Sequence, residues 1–253
     1  MQVERIEAQL QPLRNAKEWN QLLTAHAKVG NHKRAFGMPG EMREAGVAPD
    51  EFTYGRLITV CNKGGQWELA LSLLGEMREV GVAPNVITFS AAISACEKGG
   101  QWRDALRLFE HAAKADLLAR VTFNAVLDAV CTHHPVKARE LWQRGVKHGH
   151  YSNVVQRQEN GHPKLDLHDH SEGAAETAVR WWLEERVPKV NPKPTQLIIV
   201  TDLGWSKSRT ATQRALQLPS SIGVHVARVL SELGVPLLPT EDQRRLVVDA
   251  KGL

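Results

Sequence analysis

A chain of 253 residues, 42% hydrophobic and 24% charged, has the make-up of a folded protein with room for two units of ordinary domain size. Its formal charge of +4 divides as 20 basic against 17 acidic residues up to position 160 and 12 against 11 beyond it, an excess that permits an anionic partner without demanding one. No apolar run approaches the roughly 20 residues of a bilayer-spanning helix, and the opening Met1–Glu7 has neither a signal-peptide core nor the acid-poor character of a transit peptide.

Residues 1–15 read as a cap or the tail of a truncated repeat. A period then sets in. Lys63-Gly64-Gly65-Gln66-Trp67 returns as Lys98-Gly99-Gly100-Gln101-Trp102, and Met42–Asp50 returns as Met77–Asn85, both 35 residues on. Such a period predicts stacked repeats that share one long surface, not a single core around a pocket. In register the repeats span 16–50, 51–85, 86–119 and 120–153. Each reads as two helices. The first is expected to begin at an aromatic and its neighbour: Trp19-Asn20, Tyr54-Gly55, Phe89-Ser90 and Phe123-Asn124. A Gly-rich turn ends it, a second apolar helix follows, and Gly-Val-Ala-Pro closes the first and second repeats because Pro cannot extend a helix. His133-His134-Pro135 replaces the Gly turn in the last repeat.

Cys61 and Cys96 hold equivalent positions, and Cys131 falls near the same place. Three thiols without CxxC spacing predict small core residues and neither a disulfide nor a zinc site. Lys28, Lys63 and Lys98 recur at the end of the first helix, with Thr132 breaking the row. They suit a phosphate backbone, and they equally suit the negative end of a helix dipole.

The period, the paired helices, the aromatic-Asn opening and the Gly-Val-x-Pro-Asp/Asn close resemble the pentatricopeptide repeat family over about residues 16–153. The resemblance implies that the helix pairs read single-stranded RNA at about one base per repeat. It also implies which residues read: the residue after the opening aromatic, paired with the last residue of the repeat. Here those pairs are Asn20 with Asp50, Gly55 with Asn85, Ser90 with the slipped Ala119–Arg120 junction, and Asn124 with Asn153. Asn20 and Asn124 have a plainer role open to them as helix N-terminal caps. Four repeats spell a word of about four bases, too short to define one site in a transcriptome.

Beyond Asn153 the pattern changes. Asn160-Gly161 between two alternating runs, 154–158 and 163–168, predicts a β-hairpin. Gly173–Val187 reads as an amphipathic helix, with Trp181-Trp182 in its packing face, and 188–194 as a Pro/Lys linker. Gln196–Thr201 is a buried strand, followed by a polar basic loop through Ser221, a helix over Ile222–Leu233 and a strand at Leu246–Asp249. The expected fold is therefore an α-helical repeat solenoid followed by a small α/β domain with a largely parallel sheet, residues 154–253.

Strand alternation puts Asp166 and His168 on one face of Leu165-Asp166-Leu167-His168, so the carboxylate can orient a proton carrier. The strand leads into a helix N-terminus, which favours phosphate. This stretch, with Gly204-Trp205-Ser206-Lys207-Ser208-Arg209, resembles the small MutS-related domain over about residues 164–250. That family joins a Leu-Asp-Leu-His/Arg strand to a Thr-Gly-x-Gly-Lys loop. The second motif departs from the pattern: Asp202-Leu203 is inserted before Gly204, and Ser206 stands where a second Gly belongs. The resemblance implies nucleic-acid binding and, in several branches, endonuclease action. It would cast His168, oriented by Asp166, as acid and base acting on the RNA 2′-hydroxyl. Lys207 and Arg209 would meet developing charge, and Trp205 would stack on a base. No third ligand joins His168 and His170, so no metal or other cofactor is evident, and metal dependence is left open.

Together the readings predict a single-stranded RNA-binding protein of RNA processing that delivers its C-terminal domain to a transcript for processing, endonucleolytic cleavage or protection, with the enzyme assignment left open. The alternatives are a non-catalytic RNA or protein adaptor and a protein scaffold. The family resemblance implies a chloroplast or mitochondrial address, with protein partners in processing and no membrane.

Overall fold

The computed structural model describes residues 15–152, 154–157, 162–191, 193–201, 221–240, 242 and 245–251. It divides into two compact units, Met1–Thr122 and Phe123–Leu253.

The first unit holds three helix pairs: α1 (Ala16–Lys28) with α2 (His32–Glu44), α3 (Glu51–Gly64) with α4 (Trp67–Glu79), and α5 (Val86–Lys98) with α6 (Trp102–Lys114). It ends in the first turn of α7 (Arg120–Val130). Each first helix starts three residues before its predicted aromatic, because the capping residue lies further back. Asn15, Asp50 and Asn85 accept from the backbone N–H of Glu18, Thr53 and Thr88, and at Asp50 and Asn85 the Thr hydroxyl returns the bond as a capping box. The aromatics thus sit one turn inside the helix, where Tyr54 and Phe89 are buried, as are Leu57, Ile58, Ile93 and Met77. Successive first helices pack on one another, α1 on α3 and α3 on α5.

The repeated glycine turn has a steric cause. Gly65 adopts φ +62, and a Cβ on Gly99 would lie 2.3 Å from Cδ1 of Trp67, so the Trp of one repeat occupies the space a side chain would take in the next. A polar latch adds to this packing. Arg43 pairs with Glu76, and Tyr54 Oη donates to Glu76 at 3.0 Å while accepting from Arg43 at 3.1 Å. Cys61 and Cys96 are buried thiols that burial pushes up to about 11, and Cys131 is half-buried; none of the three forms a disulfide.

The second unit contains the rest of α7, α8 (Pro135–Lys147), β1 (Val155–Arg157), β2 (Pro163–Asp166), α9 (Glu172–Trp181), β3 (Gln196–Val200), α10 (Ser221–Glu232), β4 (Leu237–Leu238) and β5 (Arg245–Asp249). The predicted hairpin is the antiparallel β1–β2 pair, with Val155 opposite Leu165; its turn lies outside the described residues. The sheet order is β1-β2-β3-β5-β4. The parallel pairing implied by strand–helix–strand order occurs at β2–β3, with Leu165 opposite Ile199, and the other three pairings are antiparallel. Two-residue β4 carries too little pattern to be read from sequence. The helix predicted to reach Val187 keeps α geometry only to Trp181, then makes a π turn over Trp182–Arg186 and a 3-10 turn over Val187–Lys189. Pro188 cannot donate to an α-helical ladder, which accounts for the change at that end. Both Trp181 and Trp182 are buried, as packing residues should be.

Candidate nucleic-acid interface

The variable residue after each aromatic lies at the N-terminal end of its helix, and the packing of α1 on α3 brings it to the cap of the next repeat. Asn20 Nδ2 donates to Asp50 Oδ1 at 3.0 Å, and Thr53 Oγ1 donates to Asn20 Oδ1 at 2.8 Å. The first pair named from sequence is therefore in contact. Its cap is Asp50, and Asn20 lies inside the helix rather than at its end. Burial pushes the Asp50 carboxyl up, but hydrogen bonds from Thr53, Asn20 and Phe52 outweigh that and hold it below its ordinary value of 3.8.

The same join recurs with other chemistry. A Cβ on Gly55 would stand 3.7 Å from Cγ2 of Thr88, whose hydroxyl completes the Asn85 capping box, so the buried Gly55 packs against the next repeat without a polar side chain. Ser90 Oγ lies 3.1 Å from Thr122 Oγ1. Ala119, in the capping register, has no polar side-chain atom to offer, and its carbonyl accepts from the Thr122 N–H at 2.9 Å.

Lys28, Lys63 and Lys98 are exposed at or near the ends of α1, α3 and α5, eight residues beyond Asn20, Gly55 and Ser90. At 1.5 Å per residue that is about 12 Å along the helix. Thr24, Thr59 and Ser94 lie midway, so each strip runs variable residue, hydroxyl, lysine at four-residue steps along one side of the helix.

A further row escaped the sequence reading. Phe52, Ile87 and Val121 are 69%, 65% and 54% exposed. They recur in register three residues before Gly55, Ser90 and Asn124, so they flank the variable positions on the same helix side. Single exposed apolar residues are ordinary, but a periodic row is not. The signal was available: apolar residues two positions after a cap, off the core stripe. Lys17 takes this place in the first repeat.

The fourth copy is arranged differently, within the second unit. Tyr151 Oη donates to Asn124 Oδ1 at 2.7 Å, Asn124 Nδ2 donates to the Asp169 carbonyl at 3.5 Å, and Ser171 Oγ donates to the Asn124 carbonyl at 3.4 Å. Asp128, in the register of Thr24, Thr59 and Ser94, accepts from the Gly173 N–H at 2.7 Å in the first turn of α9. A Cβ on Gly173 would lie 2.7 Å from Asp128 Cα, so only glycine permits this approach. Tyr151 stacks on Trp142 at 4.3 Å between ring centres, and Gly145 provides its space. The α9 N-terminus, expected to favour a phosphate, thus already holds a carboxylate from α7.

At the end of β2, Asp166 and His168 meet as the alternation predicted, with Oδ1 to Nδ1 at 2.6 Å. His168 Nε2 is also 3.1 Å from Asp169 Oδ2, and Lys164 Nζ is 3.7 Å from Asp166 Oδ2. Sequence reasoning missed Asp169 and Lys164 because neither belongs to the strand motif's inner pair. A neutral imidazole carries one N–H, so it donates to only one of the two carboxylates at a time. Among the described residues no cluster of three metal-ligating side chains occurs, and no helix is long and apolar enough to cross a membrane. Asn153, Gly204, Trp205, Lys207 and Arg209 lie outside the described residues.

Three family models match the chain: the PPR repeat family over 14–63, the pentatricopeptide repeat domain over 40–99 and the PPR repeat over 87–114. No curated protein sequence matches it. Among solved structures, the pentatricopeptide repeat protein PPR10 in complex with an 18-nt psaJ RNA element is similar, with TM-score 0.53 and 24% identity, over 70% of this chain and 25% of that one. This chain therefore corresponds to about a quarter of the length of PPR10. The PPR domain of Arabidopsis thaliana protein-only RNase P 1 in complex with tRNA is similar with TM-score 0.50 and 14% identity, over 88% of this chain and 91% of that one. The capped helix pairs and the glycine–tryptophan joints coincide with the stretch, residues 14–114, that the pentatricopeptide repeat models match.

Proposed function

We propose that this protein binds single-stranded RNA along the strips of its first three helix pairs and acts in organellar RNA processing. The observation that carries the reading is the Asn20–Asp50–Thr53 contact, which unites the variable residue and the cap of the next repeat into one polar surface. An amide and a carboxylate side by side suit the Watson–Crick edge of a base. Phe52 and Ile87 offer apolar faces to the rings, and the lysine row offers counter-charge to phosphates. Both named structural relatives are complexes with RNA, which supports the same reading.

For the α/β part, the Asp166–His168 contact supports the small MutS-related resemblance, with His168 as acid and base in RNA cleavage. A second reading, a non-catalytic adaptor, is favoured by the carboxylates that crowd the site. Asp169 faces the second ring nitrogen of His168, and Asp128 closes the α9 N-terminus.

The test is to incubate end-labelled single-stranded RNA with the full chain and with its His168→Ala variant. Products that vanish in the variant support the nuclease. A shifted band without products supports the adaptor. No shift at low salt removes both.

A further inference from the structure

We propose that the fourth helix pair is a docking repeat: its would-be RNA strip, Asn124–Asp128–Thr132, is the seat of the α/β fold, and base reading is confined to the first three pairs. The proposal rests on the RNA-binding reading for its second half and on contacts within the second unit for its first.

Three independent features of one strip changed together. At the variable position, both polar atoms of the Asn124 side chain are engaged, Oδ1 by Tyr151 and Nδ2 by the Asp169 carbonyl. Asn20, by contrast, bonds to the cap and Thr of a neighbouring repeat. At the middle position, Thr24 and Thr59 turn their hydroxyls back to their own helix, at 2.7 Å from the carbonyls of Asn20 and Gly55. Asp128 instead reaches out to cap α9. At the far position lysine becomes Thr132. The first three strips therefore carry a charge of +1 each and the fourth carries −1. A phosphate backbone would be drawn along the former and repelled by the latter.

The partner surface is built to match. Gly173 has no side chain where Asp128 approaches, and Gly145 leaves room for the Tyr151 ring that holds Asn124. Arg139 of α8 pairs with Glu184, and Gln143 of α8 donates through Nε2 to Glu185 at 2.9 Å, so α8 holds the π turn that follows α9 while Asp128 of α7 holds the α9 N-terminus.

The experiment uses the full chain and two readouts. The first is amide hydrogen exchange over 169–175 in wild type, Asp128→Ala and Tyr151→Phe; Tyr151→Phe keeps the ring stack and removes only the hydroxyl. Protection of the Gly173 amide should fall about tenfold or more in Asp128→Ala. Unchanged exchange in both variants overturns the docking role. The second is selection from a pool of single-stranded RNA oligonucleotides of random sequence. Asn20→Ser should change the preferred base at one position, while Asn124→Ser and Tyr151→Phe should leave every preference as it was. A changed base with Asn124→Ser overturns the proposal. If the wild type selects no RNA, the binding reading fails, and the exchange result alone then decides the docking role.

Discussion

The first three helix pairs and the fourth share a register and differ in where one helix side is spent. In α1, α3 and α5 the strip ends in an exposed lysine and is flanked at Phe52 and Ile87 by exposed apolar side chains. In α7 the same register positions meet Tyr151, Asp169 and Gly173. The helix-pair scaffold survives this change because it depends on other residues: the buried aromatic, Phe123 here, and the small residues between helices, Ala125, Ala129 and Ala138. A repeat can thus change the use of its variable side without changing its fold.

The comparison breaks most forcefully at Gly173. Gly173→Ala puts a methyl inside 3 Å of the Asp128 backbone, and should cost about 2–3 kcal/mol in chemical denaturation of the full chain. A neutral result would mean the fourth strip is not held closely. Next, replacing Lys28, Lys63 and Lys98 together with Gln should flatten the plot of log affinity for single-stranded RNA against log salt by about two units. Stability should hardly move, because all three are exposed. The same plot for Thr132→Lys tests the other side: no steepening is expected. A smaller effect belongs to Ile87→Ser. It should weaken RNA binding by about 1 kcal/mol, read by fluorescence anisotropy, while melting stays within about half a kcal/mol of wild type.

The smallest effect is electrostatic. The Asp50 carboxyl is held below 3.8 in the folded chain. Its contribution to stability is complete above that value and disappears as pH falls through the lower folded-state value. The stability difference between wild type and Asp50→Asn, read from acid melting curves, should therefore be constant above the ordinary carboxylate value and change only as pH falls below it.

The helix pairs were legible because they repeat: a cap, an aromatic and a glycine turn, each 35 residues on, leave little else for the chain to do. The Asp166–His168 contact was legible too, since strand alternation is a local rule. Helix starts were misplaced by three residues because the aromatic is a stronger visual signal than the cap, yet Asp50 and Asn85 fix the first turn. The antiparallel pairings of β5 were not legible, since strand order depends on which edge a returning chain reaches. The fate of Asn124 was hidden for a related reason. Its partners Tyr151 and Asp169 lie 27 and 45 residues away, and no periodicity connects them.

The glycine at 173 has a consequence for engineering the repeat array. Because Asp128 on α7 and Gly173 on α9 are fitted to each other, the last helix pair travels with the α/β fold as one cassette. Extra pairs intended to lengthen the recognised RNA word belong upstream, before residue 120. A pair copied from the second or third repeat and spliced in at residue 153 would present Thr59 or Ser94 where Asp128 stands, and would leave the Gly173 N–H without its carboxylate.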